Sequence, residues 1–276
     1  MRPVLAPRRP RRAGFLAPAL WIPAGIALAL LALPLVALVV RAPWADLPQL
    51  LARGEVLQAL ALSLGTAAIA TAVSLALGVP LALVLARSAE WSAVPRRLLR
   101  ALVTVPLVLP PVVGGVALLL LLGRRGLVGE WLDAWFGITI PFTTTAVVIA
   151  QVFVAMPFLV LAVEGAVRAS DRRFEIAAAT LGASRWTVFR RVTLPLVAPG
   201  VSAGALLCFT RALGEFGATI TFAGSFPGVT QTLPIATYLE LQRDPDAAIA
   251  LSLVLMIVSV AVLVSLRDRW VPGLTS

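Results

Sequence analysis

A chain of 276 residues that is 60% hydrophobic and only 13% charged, with a mean hydropathy of +0.97, is too apolar for a soluble domain of its size. It has no His, no Lys and one Cys, Cys208, which excludes His-based metal sites and triads, an internal disulfide, and the P-loop Lys that reaches nucleotide phosphates. The net charge of +10 rests on arginine, and any ATP-driven role must draw its engine from another chain.

Six hydrophobic segments follow in order, at about 15–40, 56–86, 98–122, 143–166, 198–222 and 247–266. Several contain uncharged runs of about 20 residues, the length needed to cross a bilayer. Most are apolar all round, as lipid-embedded helices are. The first is longer than a signal-peptide core and is read as a retained span. The second is longer than a perpendicular crossing requires, which implies tilt or extension beyond the membrane. The expected organisation is all-α and polytopic: an Arg/Pro-rich tail over 1–14, a six-helix membrane domain over 15–266, and a short tail over 267–276.

Arginine sets the orientation. Residues 1–12 hold five, 87–100 four, 168–191 six and 267–269 two, whereas the alternate connections hold five in all. The positive-inside rule then places both termini in the cytoplasm. The basic charge is topological, and a nucleic-acid partner loses its motive. Prolines fall inside the segments at Pro34, Pro80, Pro106, Pro110, Pro111 and Pro157, where each removes a backbone donor and can kink a helix. The run Leu109-Pro110-Pro111, followed by Gly114 and Gly115, marks the third span as irregular.

The cytoplasmic loop at 167–197 is long and structured. Residues 172–181 favour helix, Ser170 or Asp171 can cap its start, and Gly182 can end it. A second short helix is expected over about 184–192, with Pro195 opening the next span. Ala177, Ala178 and Ala179 leave a small-residue face that a partner surface could approach. An ordinary helical linker between two spans would look similar.

The fifth segment contains FTRALGEFGAT, residues 209–219. Arg211 is the one arginine placed inside a span, and Glu215 lies four residues on. Intramembrane charges are expensive and normally face a cavity or a partner. Arg before Glu is the weaker order for a helical pair, so local helix stabilisation explains little. Two readings stand: an ion pair holding the span to a neighbour, or a pathway element in which Arg211 offers donors to an oxyanion and Glu215 prevents trapping. They are compatible, since a pair that locks a closed gate can open to expose Arg211. Gly204, Gly214 and Gly217 allow close helix approach.

The pattern Glu175-x-Ala177-Ala178-x-x-x-Gly182, with Leu194-Pro195 ending thirteen residues past Gly182, resembles the EAA loop of bacterial ABC importer permeases. The runs ALGEFGATITFAG (212–224), TLPIATY (232–238), PLVLPPVVGG (106–115) and LLGRRGLVG (121–129) resemble the molybdate ABC transporter permeases. The match extends over most of 56–266. Sulfate/thiosulfate permeases carry a similar run in which Ser-Val usually stands where this chain has Ala-Thr.

The resemblance implies a type I ABC importer permease fold and a subunit without its own ATPase site or bound cofactor, ATP and Mg being held by the partner ATPase. It implies a homodimer in membrane lipid, two ABC ATPase subunits, and a periplasmic or lipid-anchored binding protein. Residues Glu175, Ala177, Ala178, Gly182, Arg185, Leu194 and Pro195 would form the coupling loop against the ATPase. Residues Arg211, Gly214, Glu215, Gly217 and Thr219 would line the pathway or gate. Sulfate, thiosulfate or tungstate are the alternative cargoes, and a passive channel or membrane scaffold is the alternative class. Neither of the latter needs a docking knob.

Overall fold

The computed structural model describes residues 20–267, all helix and connections, with no strand among them. The expected tail at 1–14 lies outside the described residues, as does the tail expected at 267–276 beyond Arg267, which ends the last helix. The chain divides into two compact units at Ala42. In the first, α1 (Trp21–Val40) is a single apolar helix of 20 residues with Pro34 inside it.

The second unit opens with a short α2 (Leu47–Leu51) and continues into α3 (Gly54–Arg87). At 34 residues, α3 is about 51 Å long, well beyond the roughly 30 Å of a hydrocarbon core. Its buried positions include Ala59, Ser63, Ala67, Ala70, Ser74, Gly78 and Ala82, a stripe of small residues three or four apart. Such a stripe lets backbones approach closely where lipid supplies no hydrophobic drive between helices. Ala67, Ala70, Gly78 and Ala82 of the stripe pack on α7 (Thr144–Ala169), the central helix, which is flanked on another side by α10 (Leu194–Leu213), whereas Ala59 packs with Leu233, Ala236 and Leu251. Leu159, Val160 and Val163 of α7 and Cys208, Ala212 and Leu213 of α10 share one buried core. Cys208 is buried there as a packing residue.

The third hydrophobic segment is not one helix. α4 (Ala93–Val108) and α5 (Pro111–Leu122) meet at a bend of 117°. Leu109 and Pro110 have extended ψ values of 135° and 133°. Each precedes a proline, whose ring crowds the preceding residue out of the helical region. The irregularity expected from Leu109-Pro110-Pro111 is therefore a full break, and the basic residues Arg96, Arg97 and Arg100 belong to α4.

Between α5 and α7 lies a short helix, α6 (Gly129–Phe136). Beyond α7 come α8 (Arg173–Thr180) and α9 (Arg185–Val188), and after α10 come α11 (Gly217–Ala223), α12 (Leu233–Glu240) and α13 (Pro245–Arg267). Among the described residues five helices are long and apolar enough to cross a membrane, and α4 with α5 makes a sixth when the bent pair is taken as one span. The connection before α12 is tied to the bundle at two points: Ser63 Oγ accepts from the Leu233 N–H at 2.6 Å, and Thr144 Oγ1 donates to the Val229 carbonyl at 2.9 Å.

Candidate functional site

The fifth segment does not run as one helix to residue 222. α10 ends at Leu213, and α11 restarts at Gly217. Glu215 sits in the gap and explains the restart. Its Oε1 accepts the Ala218 N–H at 2.8 Å, satisfying one of the donors that every helix N-terminus leaves open. Its Oε2 lies 2.6 Å from Arg211 Nη1. The same Oε2 makes no aligned hydrogen bond, so this contact is an ion pair of close charges rather than a well-directed bond. The Glu215 side chain is 1% exposed and that of Arg211 27%. One carboxylate therefore joins the end of one helix to the start of the next, with its arginine partly exposed.

The break is packed closely on α5. A Cβ on Gly217 would lie 2.9 Å from Pro111 Cβ, and one on Gly115 would lie 2.8 Å from the Ala218 carbonyl oxygen. Gly204 performs the same service lower down, against Leu159 and Ala162 of α7. Gly214 does not: a Cβ there would make only an ordinary 3.6 Å contact with Thr210, and the residue serves as the C-cap of α10. Thr219 is buried on α11, and its hydroxyl finds no hydrogen-bond partner. Gln151 of α7 is buried with its Oε1 equally unpartnered. The ring of Phe216 packs against Tyr238 of α12 at 5.1 Å between centroids, which holds α12 to the break.

At the other end of α10 the loop forms the expected knob, with one change. α8 begins at Arg173, whose N–H is taken by Asp171 Oδ1 at 2.9 Å. It ends in a paired closure: Ala183 N–H donates to the Ala178 carbonyl at 3.1 Å and Gly182 N–H to the Ala179 carbonyl at 3.0 Å. This arrangement needs a left-handed residue, and Gly182 has φ +84°. Ser184 then caps α9 by accepting the Thr187 N–H. The second helix does not stop near 192. A π-helical stretch, Phe189–Thr193, carries it directly into α10, and Pro195 lies in the first turn, where a missing donor is harmless.

The sequence-predicted residues thus fall into two groups at opposite ends of α10. Glu175, Ala177, Ala178, Gly182, Arg185, Leu194 and Pro195 lie in the knob and its entry to α10. Arg211, Gly214, Glu215, Gly217 and Thr219 lie at the break, and Leu194 and Arg211 are about 25 Å apart along the helix. Within the knob the side chains differ. Ala177, Gly182 and Arg185 are exposed, Ala178 is half-buried, and Glu175 turns inward. The outer surface carries apolar residues the sequence reasoning passed over, above all Leu181 and Trp186, 89% and 67% exposed.

A second buried acid was also missed. Glu164, near the C-terminal end of α7, is buried and paired with Arg168 at 2.8 Å and with Arg100 of α4. The signal was an acidic residue four positions before Arg168 in an apolar run, an order favourable for a helical pair. Elsewhere, Asp133 of α6 accepts from Arg124 Nε at 3.0 Å and from Thr139 at 3.2 Å. The Arg124 hydrogen bond holds the Asp133 carboxyl below its ordinary range.

Residues 78–272 match the family described as "Binding-protein-dependent transport system inner membrane component". The chain belongs to this family. It is 51% identical over 249 residues to the molybdenum transport system permease protein ModB of Mycobacterium tuberculosis H37Rv, covering 90% of this chain and 93% of that protein. To the ModB of Escherichia coli K12 it is 42% identical over 213 residues, covering 77% and 92%. The fold is shared with a bacterial alginate ABC transporter solved in complex with an alginate-bound periplasmic protein, at a TM-score of 0.75 and 16% identity over 93% of this chain and 95% of that one. At that identity the likeness shows the architecture alone, that of an ABC importer permease. The permease is thus a multi-pass membrane component of a transport system, and the knob and the break are features of a transport subunit.

Proposed function

We propose that the chain is the membrane-spanning subunit of an ATP-driven importer that moves molybdate across the cytoplasmic membrane by alternating access. The observation that carries the reading is an Arg211–Glu215 pair set in a helix break, in a chain 51% identical over 249 residues to a molybdenum transport permease. The pair suits a divalent oxyanion. A guanidinium has five donors, Glu215 engages one edge, and the rest can meet an anion's oxygens. With Glu215 beside it the arginine stays neutralised between passages, so attraction does not become trapping.

The reading includes a homodimer with the pathway at its two-fold interface, and both termini in the cytoplasm. Two ABC ATPases dock on the knob at 170–194, and a periplasmic or lipid-anchored binding protein delivers the anion to the opposite side. ATP and Mg sit on the ATPases, and this chain holds no cofactor. The exposed Leu181 and Trp186 support the docking assignment, because such apolar side chains outside a membrane segment favour a protein partner. Binding of ATP would draw the ATPases together, displace the knobs, and through α10 reopen the break toward the outside.

The test is uptake by vesicles containing the permease, its ATPase and its binding protein, with molybdate and sulfate supplied in turn. ATP-dependent uptake of molybdate well above sulfate is expected. Equal sulfate uptake overturns the substrate, and molybdate uptake without ATP overturns the importer.

A further inference from the structure

Away from the break, charge is concentrated where the knob meets the membrane helices. Glu175 stands in the first turn of α8, a helix with no buried residue, yet its side chain is only 24% exposed. Its two oxygens serve two different elements. Oε1 accepts from Thr193 Oγ1 at 2.6 Å, and Oε2 lies 3.5 Å from Arg87 Nη2. Thr193 is buried and is the last residue of the π-helical stretch that becomes α10. Arg87 is the last residue of α3. Three residues before Glu175, Arg172 Nη1 lies 3.4 Å from Glu90, in the turn that follows α3. A cavity of about 370 Å³ lies among Arg87, Glu90, Arg168, Arg172 and Glu175, so the joint is open to water on one side and tied on the other.

We propose that Glu175 is a positioning residue inside the permease: its carboxylate fastens the coupling helix to the end of α3 and the start of α10, instead of presenting its charge to the ATPase. The inference rests on the reading of this loop as the ATPase coupling element. Its physical ground is the place of the two ties, which bridge α8 to helices that the chain reaches from it only through a turn and a wide helical stretch. α8 is joined to α9 through the left-handed turn at Gly182, a point about which it can pivot. The π-helical stretch beyond α9 is a wide turn of the kind that accommodates rearrangement. Without a tie across them, a push on α8 is absorbed by these two soft points. With Glu175 bound to Thr193 and beside Arg87, the same push moves α3 and α10 together. The bond to Thr193 is the stronger of the two ties, being short, charge-assisted and made to a buried hydroxyl. The Arg87 contact is longer and half-exposed, and adds direction more than strength. The outward face of α8 is left to apolar contacts.

The experiment uses the full complex of permease, ATPase and binding protein in vesicles, and reads three quantities: affinity of the ATPase for the permease, ATP hydrolysed, and molybdate moved per ATP. Glu175→Ala is expected to lower molybdate moved per ATP about tenfold, as for loss of a charge-assisted hydrogen bond, with ATPase affinity unchanged. Glu175→Gln keeps an acceptor for Thr193 and is expected to retain most of the coupling. Thr193→Val removes the donor from a buried position that no partner can touch, and is expected to reproduce the Glu175→Ala defect. The double variant should be no worse than either single one, as for residues acting as a unit. Weakened ATPase affinity in Glu175→Ala, together with normal coupling in Thr193→Val, overturns the proposal. A wild-type complex that moves molybdate without ATP fails at the earlier step, the coupling role of the loop.

Discussion

Arg211 and Glu215 meet across the end of α10, 2.6 Å apart, with the carboxylate buried and also capping the next helix through the Ala218 N–H. The two roles of Glu215 can be separated. Glu215→Gln keeps an acceptor for the cap and loses the charge, whereas Glu215→Ala loses both. Glu215→Ala is therefore expected to be the less stable, by about 1–3 kcal/mol for the orphaned donor and partner, as read by thermal unfolding in detergent.

Arg211→Ala tests transport itself. Uptake of molybdate is expected to fall at least about tenfold while the ATPase complex stays assembled, since the altered side chain lies about 25 Å along the helix from the knob. Vesicle uptake and co-purification of the ATPase report the two effects. Unchanged uptake with a dissociated complex would make the pair structural.

Glu164 of α7 holds Arg168 and, from α4, Arg100. Glu164→Ala leaves two half-exposed guanidinium groups without their shared partner and is expected to destabilise the permease by about 1–3 kcal/mol, below the cost of stranding a buried charge because both arginines reach water. Leu→Ala at an exposed position of α1, such as Leu30, is the control and should leave the melting temperature in place.

Gly115 and Gly165 make a matched pair. A Cβ at Gly115 meets the Ala218 carbonyl at 2.8 Å, and one at Gly165 meets nothing within 4 Å. Gly115→Ala should force α5 and α11 apart at a cost of about 1–3 kcal/mol. Gly165→Ala should be neutral or stabilise α7 by up to about 1 kcal/mol through helix propensity. Thermal unfolding of both variants decides.

Asp133 is stabilised as the carboxylate by Arg124, so the tie between α6 and the end of α5 is present at neutral pH. Because its folded pKa is depressed, that contribution exists above the unfolded value of about 3.9 and is lost as pH falls through the lower folded value. The tie is expected to be unaffected between about pH 5 and 8. Asp133→Asn should loosen it at neutral pH, seen as faster tryptic cleavage after Arg124 and Arg125.

Composition and hydrophobic run lengths were enough to read an all-α membrane protein and its hydrophobic segments, and helix formers with Gly182 were enough to read the structured loop between α7 and α10. The end of α8 was legible in Gly182 because only glycine enters the left-handed cap cheaply. The proximity of Arg211 and Glu215 was suggested by their i,i+4 spacing, and the turn that ends α10 at Leu213 preserves it. Tertiary structure decided the rest. That α10 stops at Leu213 depends on α5 packing against Gly217, and that Glu175 turns inward depends on Thr193 and Arg87 arriving beside it. The partnership of Glu164 with Arg100 joins residues 64 apart in the chain. Local spacing specifies which face of a helix a side chain occupies. Which helix meets that face, and so whether a charge is paired, capped or free, is settled only when distant segments pack.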